Sequence, residues 1–335
     1  MVLLQQFLFL CCGFTAHGLL YYSALYSATV IKIFMRNKIK QLVLLSLLFT
    51  TAFAVVKIDN SRGDEIIGTI RTAQLQQDQT FIDFIRKNDI GYDEFLHANP
   101  NVNPDNVNEG DIFIIPTSHI VLAKYKSHIL VNLAERRLYS FINPKKIMTY
   151  PVGIGKIGWG TPMGTMKIIG KRSNPSWYVP KSVLEESLAE GVALPDVVAP
   201  GPDNPLGKYA MRLSMPSYLI HGTNDPSGIG ARSTSGCISM YPEDIKSLFK
   251  KAKISTPVKI INEPLKWYLE KNKLCLEMHS EPYMDDYDES FLNNKINMSL
   301  DKLRTMADIS LEDSNFLHEV TTEKLGIPEC ITIGA

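Results

Sequence analysis

His221 and Cys237 stand 16 positions apart, each beside a glycine, in the stretches His221-Gly222-Thr223 and Ser235-Gly236-Cys237-Ile238. A thiol attacks a carbonyl as the thiolate, so it needs a neighbouring base or cation. Imidazole is the side chain suited to take that proton near neutral pH. Gly222 and Gly236 let the chain turn sharply and let a substrate approach the main chain. The N–H groups of Gly236 and Cys237 are candidates to hold an oxyanion. Cysteine-based acyl transfer is the chemistry this predicts, with Cys237 as nucleophile and His221 as proton acceptor and donor. A cysteine or histidine met singly is more often a buried structural residue, so the flanking sequence has to separate the two cases.

Strand-like segments are expected to deliver the pair. Tyr209–Leu213 and Tyr218–His221 read as strands bringing His221 to a sheet end. Pro242 at a first helical position, with Glu243 and Asp244 behind it, opens a helix to about Lys253, and Val258–Ile261 closes the domain. Those two acids are helix-start charges in this reading, not catalytic carboxylates. Upstream, HILVNL, RRLYSFI and KIMTYPVGIG are strands, two of them joined through Asn143-Pro144-Lys145. Gly153, Gly155, Gly158 and Gly160 imitate a nucleotide-binding loop. However, Thr161-Pro162-Met163-Gly164 opens a strand where that motif needs a helix, which excludes a dinucleotide site. Residues 171–208 hold Pro175, Pro180, Pro195, Pro200, Pro202 and Pro205 and read as a long functional loop. Trp177, Tyr178 and Tyr209 give it aromatic surface for a ligand.

The chain has 335 residues and a formal net charge of +0, enough for two domains and without the basic excess of a nucleic-acid partner. From Met35 runs MRNKIKQLVLLSLLFTTAFAVV, with a basic start, an apolar centre and the small-residue site Ala52-Phe53-Ala54. That is the pattern of a secretory signal peptide over 35–54, with a mature chain from near Val55. Residues 1–34 are then either an upstream mis-start or a membrane anchor. Export removes Cys11 and Cys12 and leaves Cys237, Cys275 and Cys330. The odd count agrees with one free thiol, and Cys275 and Cys330 either pair or both stay free. No cysteine or histidine spacing marks a metal site. Between them and the strands, Phe81, Phe84 and Ile85, then Tyr92, Phe95 and Leu96, recur at helical spacing around Asn88-Asp89 and Gly91. An Asn/Pro-rich loop and the strand Ile112–Ile115 follow, and the first strand, near 68–75, is weakly marked.

Two family resemblances rest on these stretches. From Ile129 to Asn262 the chain resembles the YkuD-type L,D-transpeptidase catalytic domain (the ErfK/YbiS group). Carrying the likeness are TPMGT (161–165), NPSW (174–177), PGPDNPLGKYAMRL (200–213), YLIHGTN (218–224), GIGARSTSGC (228–237) and YPED (241–244). One departure stands out: Ser239 occupies a position where the family often has Arg or Asn. Residues 69–117 resemble a LysM module through Ala98-Asn99-Pro100, Gly110-Asp111 and Ile115-Pro116.

These resemblances imply a mainly β catalytic domain, a mixed-sheet, β-sandwich-like L,D-transpeptidase fold over 127–262, beside a small βααβ LysM-like domain. Residues 264–335 are a C-terminal extension in which Trp267–Met278 reads as one more hairpin or strand, with the rest expected to be mobile or weakly packed. The implied activity is peptidoglycan transpeptidation. Cys237 forms a thioester with a tetrapeptide stem, D-Ala leaves, and an amine on another stem or a wall-anchored lipoprotein resolves it. With water as acceptor the enzyme is a carboxypeptidase or amidase, and without catalysis the chain is a wall-binding protein. Ser235 or a backbone carbonyl is expected to orient His221. Gly236 and Gly222 serve the oxyanion, and Arg232, Tyr209, Trp177 and Thr223 bind substrate. No metal or organic cofactor is implied. The partners are peptidoglycan stems, glycan at the LysM-like module and a wall lipoprotein, with no nucleic acid, in the periplasm or cell envelope.

Overall fold

The computed structural model describes residues 66–122, 128–143, 146–280, 289–306 and 311–333. The expected signal peptide over 35–54, the segment before it, the start near Val55 and Pro144-Lys145 of the hairpin lie outside the described residues.

The described chain begins with β1 (Ile66–Ile67), β2 (Ile70–Gln74), helices α1 (Phe81–Lys87) and α2 (Tyr92–Ala98), β3 (Ile112–Pro116) and β4 (His119–Ile120). β2 pairs antiparallel with β3, from Ile70 opposite Pro116 to Gln74 opposite Ile112, and β1 pairs with β4. The weakly marked first strand is therefore β2. Its sequence IRTAQ has little apolar alternation because its burial comes from β3 and the helices. α1 starts where Thr80 Oγ1 accepts the Asp83 N–H at 3.1 Å, a side-chain cap for an otherwise unpaired donor. Phe84, Ile85, Ile90, Phe95, Phe113 and Ile115 fill the centre, with Phe95 and Phe113 edge to face at 5.2 Å. Asn99 ties the second helix to the sheet: its amide donates to the Ile114 carbonyl at 2.9 Å and accepts the Ile114 N–H at 2.8 Å.

The central part contains β5 (Ile129–Asn132), β6 (Arg137–Asn143), β7 (Lys146–Gly155), β8 (Gly164–Ser173), β9 (Trp177–Tyr178), α3 (Lys181–Ala189), β10 (Val197–Val198), β11 (Tyr209–Leu213), β12 (Leu219–His221), β13 (Arg232–Thr234), β14 (Ile238–Met240), α4 (Pro242–Lys251) and β15 (Pro257–Ile261). One mixed sheet runs β13-β7-β14-β12-β11-β8-β15-β5-β6, and β6 pairs back onto β7. A single sheet thus curls into a closed wall, where the sequence suggested a sandwich-like arrangement. The ten-residue β7 is the seam: residues 146–151 pair with β6, then Val152 and Gly153 pair with β14. Ile129, Val131, Val152, Ile154, Ile168, Met211, Ile220, Ile238 and Ile260 fill the interior, joined by Ile245 and Leu248 of α4. Burying a side chain of this size contributes about 1.5–3 kcal/mol, so this cluster is the main support of the sheet. Lys171 on β8 donates to the Phe249 and Ala252 carbonyls, which the end of α4 leaves without helical partners.

Residues 171–208, expected as irregular loop, carry α3 and the paired β9 and β10. Helix α3 escapes a reading led by proline because Pro180 stands at its N-cap and does not interrupt it. The hub of this segment is Asn204, fully buried. Its amide donates to the carbonyls of Pro175, Val198 and Ala199 at 3.0, 3.2 and 3.1 Å and accepts the Leu206 N–H at 2.9 Å.

The C-terminal part contains the hairpin expected over Trp267–Met278 and corrects the expectation of weak packing beyond it. β16 (Leu265–Glu270), β17 (Lys273–Met278) and β18 (Glu329–Thr332) form a three-stranded sheet with α5 (Glu289–Met306) and α6 (Leu311–Glu323). Leu274, Leu276, Leu300, Leu303, Leu317, Val320 and Ile333 make its core. These apolar residues are sparse in sequence and converge only when β18 returns beside β17. Cys275 and Cys330, opposite each other in that ladder, are disulfide-bonded.

Candidate active site

Sheet register brings the two candidate residues to one place. β12 and β14 are parallel neighbours, with Ile220 opposite Ile238 and His221 opposite Ser239. Ile220 and Ile238 face the core, so alternation sends His221, Ser239 and Cys237 to the other face. Cys237 lies two residues before Ser239, which sets its Cα roughly 8 Å from that of His221 by strand spacing.

His221 is 6% exposed, and its Nδ1 meets the Gly222 carbonyl at 2.5 Å. A carbonyl only accepts, so Nδ1 carries the hydrogen and Nε2 is the basic nitrogen. Burial lowers the ring's pKa to about 4, with the Gly222 carbonyl acting in the opposite sense. The ring is therefore neutral at pH 7. Cys237 is a free cysteine of intermediate exposure. Burial pushes its thiol up, a hydrogen bond with the Leu219 backbone works against that, and Sγ donates to the Ser217 carbonyl at 3.6 Å. The thiol and the ring are thus both neutral near pH 7.

Two threonines set the cysteine turn. Gly236 has φ of +97°, a conformation glycine adopts without strain. Thr234 Oγ1 accepts the Gly236 N–H at 3.2 Å and donates to the Cys237 carbonyl at 2.6 Å. Thr161 Oγ1 donates to the Gly236 carbonyl and accepts the Gly155 N–H, both at 3.0 Å. Neither threonine was singled out in the sequence, although each lies in a stretch that carries the family likeness. The expected oxyanion donors are corrected in part. The Gly236 N–H is engaged by Thr234, and the Gly222 N–H donates to the Tyr209 carbonyl at 3.0 Å, so both are used inside the fold.

Of the remaining expected site residues, Ser235 is exposed, and the imidazole partner is the Gly222 carbonyl, the other alternative. Arg232 Nε donates to the Gly155 carbonyl at 3.3 Å, fastening β13 to β7. Tyr209, half-buried, packs its ring on Phe249 of α4 at 4.9 Å. Thr223 Oγ1 bonds within its own turn, donating to the Asp225 carbonyl at 2.8 Å and accepting the Asp225 N–H at 2.9 Å. Trp177 lies half-buried on β9, within the inserted segment. Ser239 is buried across the ladder from Gly153, and a Cβ on Gly153 would meet its Oγ at 2.3 Å. The departure from Arg or Asn thus puts a small side chain where the neighbouring strand lies close. The inserted segment is tied to the loop after β7, where Glu186 of α3 holds Lys156 Nζ and Trp159 Nε1, both at 2.9 Å.

Among the described residues, one cluster has the side chains of a metal site: His119, Glu135 and Glu277, all buried. Lys266 lies among them, its ammonium 3.0 Å from Glu135, 2.8 Å from Glu277 and 2.8 Å from the Ile120 carbonyl. The resident cation is thus a side chain, and an added dication would face it at short range.

Sequence comparison places the central sheet in a known family. Residues 126–260 match the YkuD family, described as an L,D-transpeptidase catalytic domain. "Probable L,D-transpeptidase YcfS" of Escherichia coli K12 is 33% identical over 274 residues, covering 79% of this chain and 85% of that protein. "Probable L,D-transpeptidase ErfK/SrfK" of Salmonella typhimurium is 32% identical over 278 residues, covering 81% and 89%. The chain belongs to the L,D-transpeptidase family.

Proposed function

We propose that this chain is an exported peptidoglycan L,D-transpeptidase acting through Cys237 and His221. The observation that carries the reading is the parallel register of β12 and β14. That register pairs His221 with Ser239, two residues after Cys237, and the Gly222 carbonyl on Nδ1 leaves Nε2 as the basic nitrogen, which supports the reading. Membership of the family supports the substrate class, a tetrapeptide stem ending in D-Ala.

In the first half-reaction Cys237 Sγ attacks the carbonyl preceding the terminal D-Ala, while its proton passes to His221 Nε2. The C–N bond breaks, the proton moves to the departing amine, and a thioester remains on Sγ. In the second, an acceptor amine attacks the thioester, its proton goes to Nε2 and then to the released sulfur. Two steps through a thioester avoid direct attack of an amine on an unactivated amide. The Cys237 N–H is the backbone donor for the oxyanion in this scheme, and Thr161 and Thr234 hold the turn that presents it. The βααβ unit acts as a LysM-like glycan holder, and residues 35–54 as the export signal. The acceptor is a second stem or a wall-anchored lipoprotein.

Mass spectrometry of tetrapeptide muropeptides incubated with residues 55–335 tests this, alongside Cys237→Ala. Loss of D-Ala with new cross-linked dimers, absent in the variant, is the expected result. D-Ala loss without dimers would make water or a missing protein the acceptor. No change with the parent chain would sink the reading.

A further inference from the structure

The βααβ unit touches the reaction loop itself. Between His221 and Cys237 the chain runs over Ile229-Gly230-Ala231, and this middle stretch is gripped from two sides. On the sheet side, the Gly230 N–H donates to the Val152 carbonyl at 3.2 Å and the Ile154 N–H to the Ala231 carbonyl at 3.0 Å. On the other side, the N–H groups of Tyr92 and Asp93, in the first turn of α2, donate to the carbonyls of Ile229 and Gly230 at 3.0 and 3.2 Å.

The first turn of a helix leaves N–H groups without helical partners. At the start of α2, Gly91 has no side chain to cap them, and the loop's carbonyls take that part. The backbones cross with no room for a side chain on either. A Cβ on Gly230, where φ is +82°, would lie 2.2 Å from the Gly91 Cα, and one on Gly91 would lie 2.5 Å from the Gly230 Cα. Beside this crossing, Arg137 at the start of β6 forks onto Glu94 of α2 at 2.7 and 3.1 Å. Arg136 meets Asp93 at 2.9 Å. Tyr241, four residues beyond Cys237, donates its hydroxyl to the Ile90 carbonyl at 3.2 Å. The unit therefore holds the loop before Cys237 and the chain just after β14.

We infer that the βααβ unit is a positioning element for the reaction, with Gly91 and Gly230 setting where the loop presents Cys237 to His221. This rests on the reading of Cys237 as nucleophile. A binding module that served only to localise the enzyme would need none of these bonds to the loop between base and thiol. Displacement of reacting groups by about 1 Å costs on the order of a hundredfold in rate, so small shifts at the crossing reach the chemistry.

The test compares the mature chain with Gly91→Ala, Tyr241→Phe and Gln74→Ala. Gln74 is an exposed strand residue bonded to Gly110 within the unit, away from the crossing. Two quantities are read: steady-state D-Ala release from tetrapeptide muropeptides, and the pH profile of Cys237 alkylation by iodoacetamide. Gly91→Ala is expected to lower kcat roughly ten- to a hundredfold with KM nearly held, and to displace the alkylation profile. Tyr241→Phe is expected to do the same to a smaller degree, and Gln74→Ala to match the parent. Parental kcat and profile in Gly91→Ala would overturn the inference. If that variant does not fold, parental behaviour in Tyr241→Phe would do so. A parent that releases no D-Ala would refute the proposed activity instead. The alkylation profiles would then still decide the positioning role, an unchanged profile counting against it.

Discussion

Replacing Lys266 by Met tests how the parts of this molecule are held together. Lys266 is 1% exposed, on β16 of the C-terminal sheet. Its ammonium lies between Glu135, in the turn between β5 and β6, and Glu277 of β17, and also donates to the Ile120 carbonyl of β4. Glu135 in turn accepts from Asn132 and Tyr139, and Glu277 accepts from the Ile120 N–H and pairs with His279. Met keeps the length of the side chain and removes the charge, leaving two buried carboxylates facing each other. Breaking a buried ion pair from one side costs about 3–5 kcal/mol, because the remaining charge is uncompensated. For a chain of this size each kcal/mol moves Tm by roughly 2–4 °C, so the drop should be about 6–20 °C.

The deficit should depend on pH. Burial opposes ionisation of Glu277, but Lys266, helped by the His279 hydrogen bond, holds its carboxyl well below the usual range. In the parent this stability is present above the unfolded carboxylate pKa and is lost as pH falls through the lower folded value. In the variant a buried carboxylate takes up a proton more readily, so the gap between parent and variant narrows as pH falls. Scanning calorimetry at several pH values measures both effects. Adding Glu277→Gln, which keeps an acceptor for the Ile120 N–H, should restore part of the loss. A Tm within about 2 °C of the parent at neutral pH, less than 1 kcal/mol, would refute the reasoning and class Lys266 with weakly contributing surface pairs.

Other outcomes follow from the same structure. His221 must be neutral to take the thiol proton and its pKa is lowered to about 4, so kcat/KM for D-Ala release should hold from neutral pH down to near pH 4 and fall below it. An acid limb near 6.5 would contradict the burial argument. Asp89 is pushed up by burial against the pull of Arg137, and Asp244 by burial and then by Asp89. With folded pKa values above the unfolded ones, they contribute stability at acid pH that is lost as pH rises through neutrality. Asp244→Asn should therefore flatten the fall in Tm between about pH 4 and 8, the span from the ordinary carboxylate value to the raised ones; an unchanged slope would contradict the shifts. Reduction of Cys275–Cys330, which closes a separation of 55 residues, should destabilise the C-terminal part by about 2–5 kcal/mol. Limited proteolysis within 279–329 would report it, and an unchanged cleavage rate would count against the staple.

The candidate site was visible in the sequence to the extent that its chemistry is local. His221 and Cys237, each beside glycine, announced a base and a nucleophile, and β-rich segments around them announced strands. Their separation in space was not visible, because it comes from the parallel pairing of β12 with β14, a long-range register that local pattern does not encode. Tyr209 illustrates the same limit: an aromatic residue beside a loop reads as ligand surface, yet α4 packs over it. Gly222 and Gly236 read as open oxyanion donors, yet the Tyr209 carbonyl and Thr234 Oγ1 accept their N–H groups. Asn204 and Thr161 gave no periodic signal, since a buried polar residue is recognised only by the partners that surround it.

By itself, then, the sequence determined the candidate reacting side chains, the strand-forming segments and the two short helices after Thr80. Tertiary structure decided which N–H groups remain for a substrate, that a single sheet closes on itself along β7, and that sparse apolar residues after 289 form a core. It also decided that the βααβ unit grips the loop between His221 and Cys237. Those outcomes depend on pairings between residues tens to hundreds of positions apart. Hydrogen bonds and close packing settle such pairings only once the whole chain is in place.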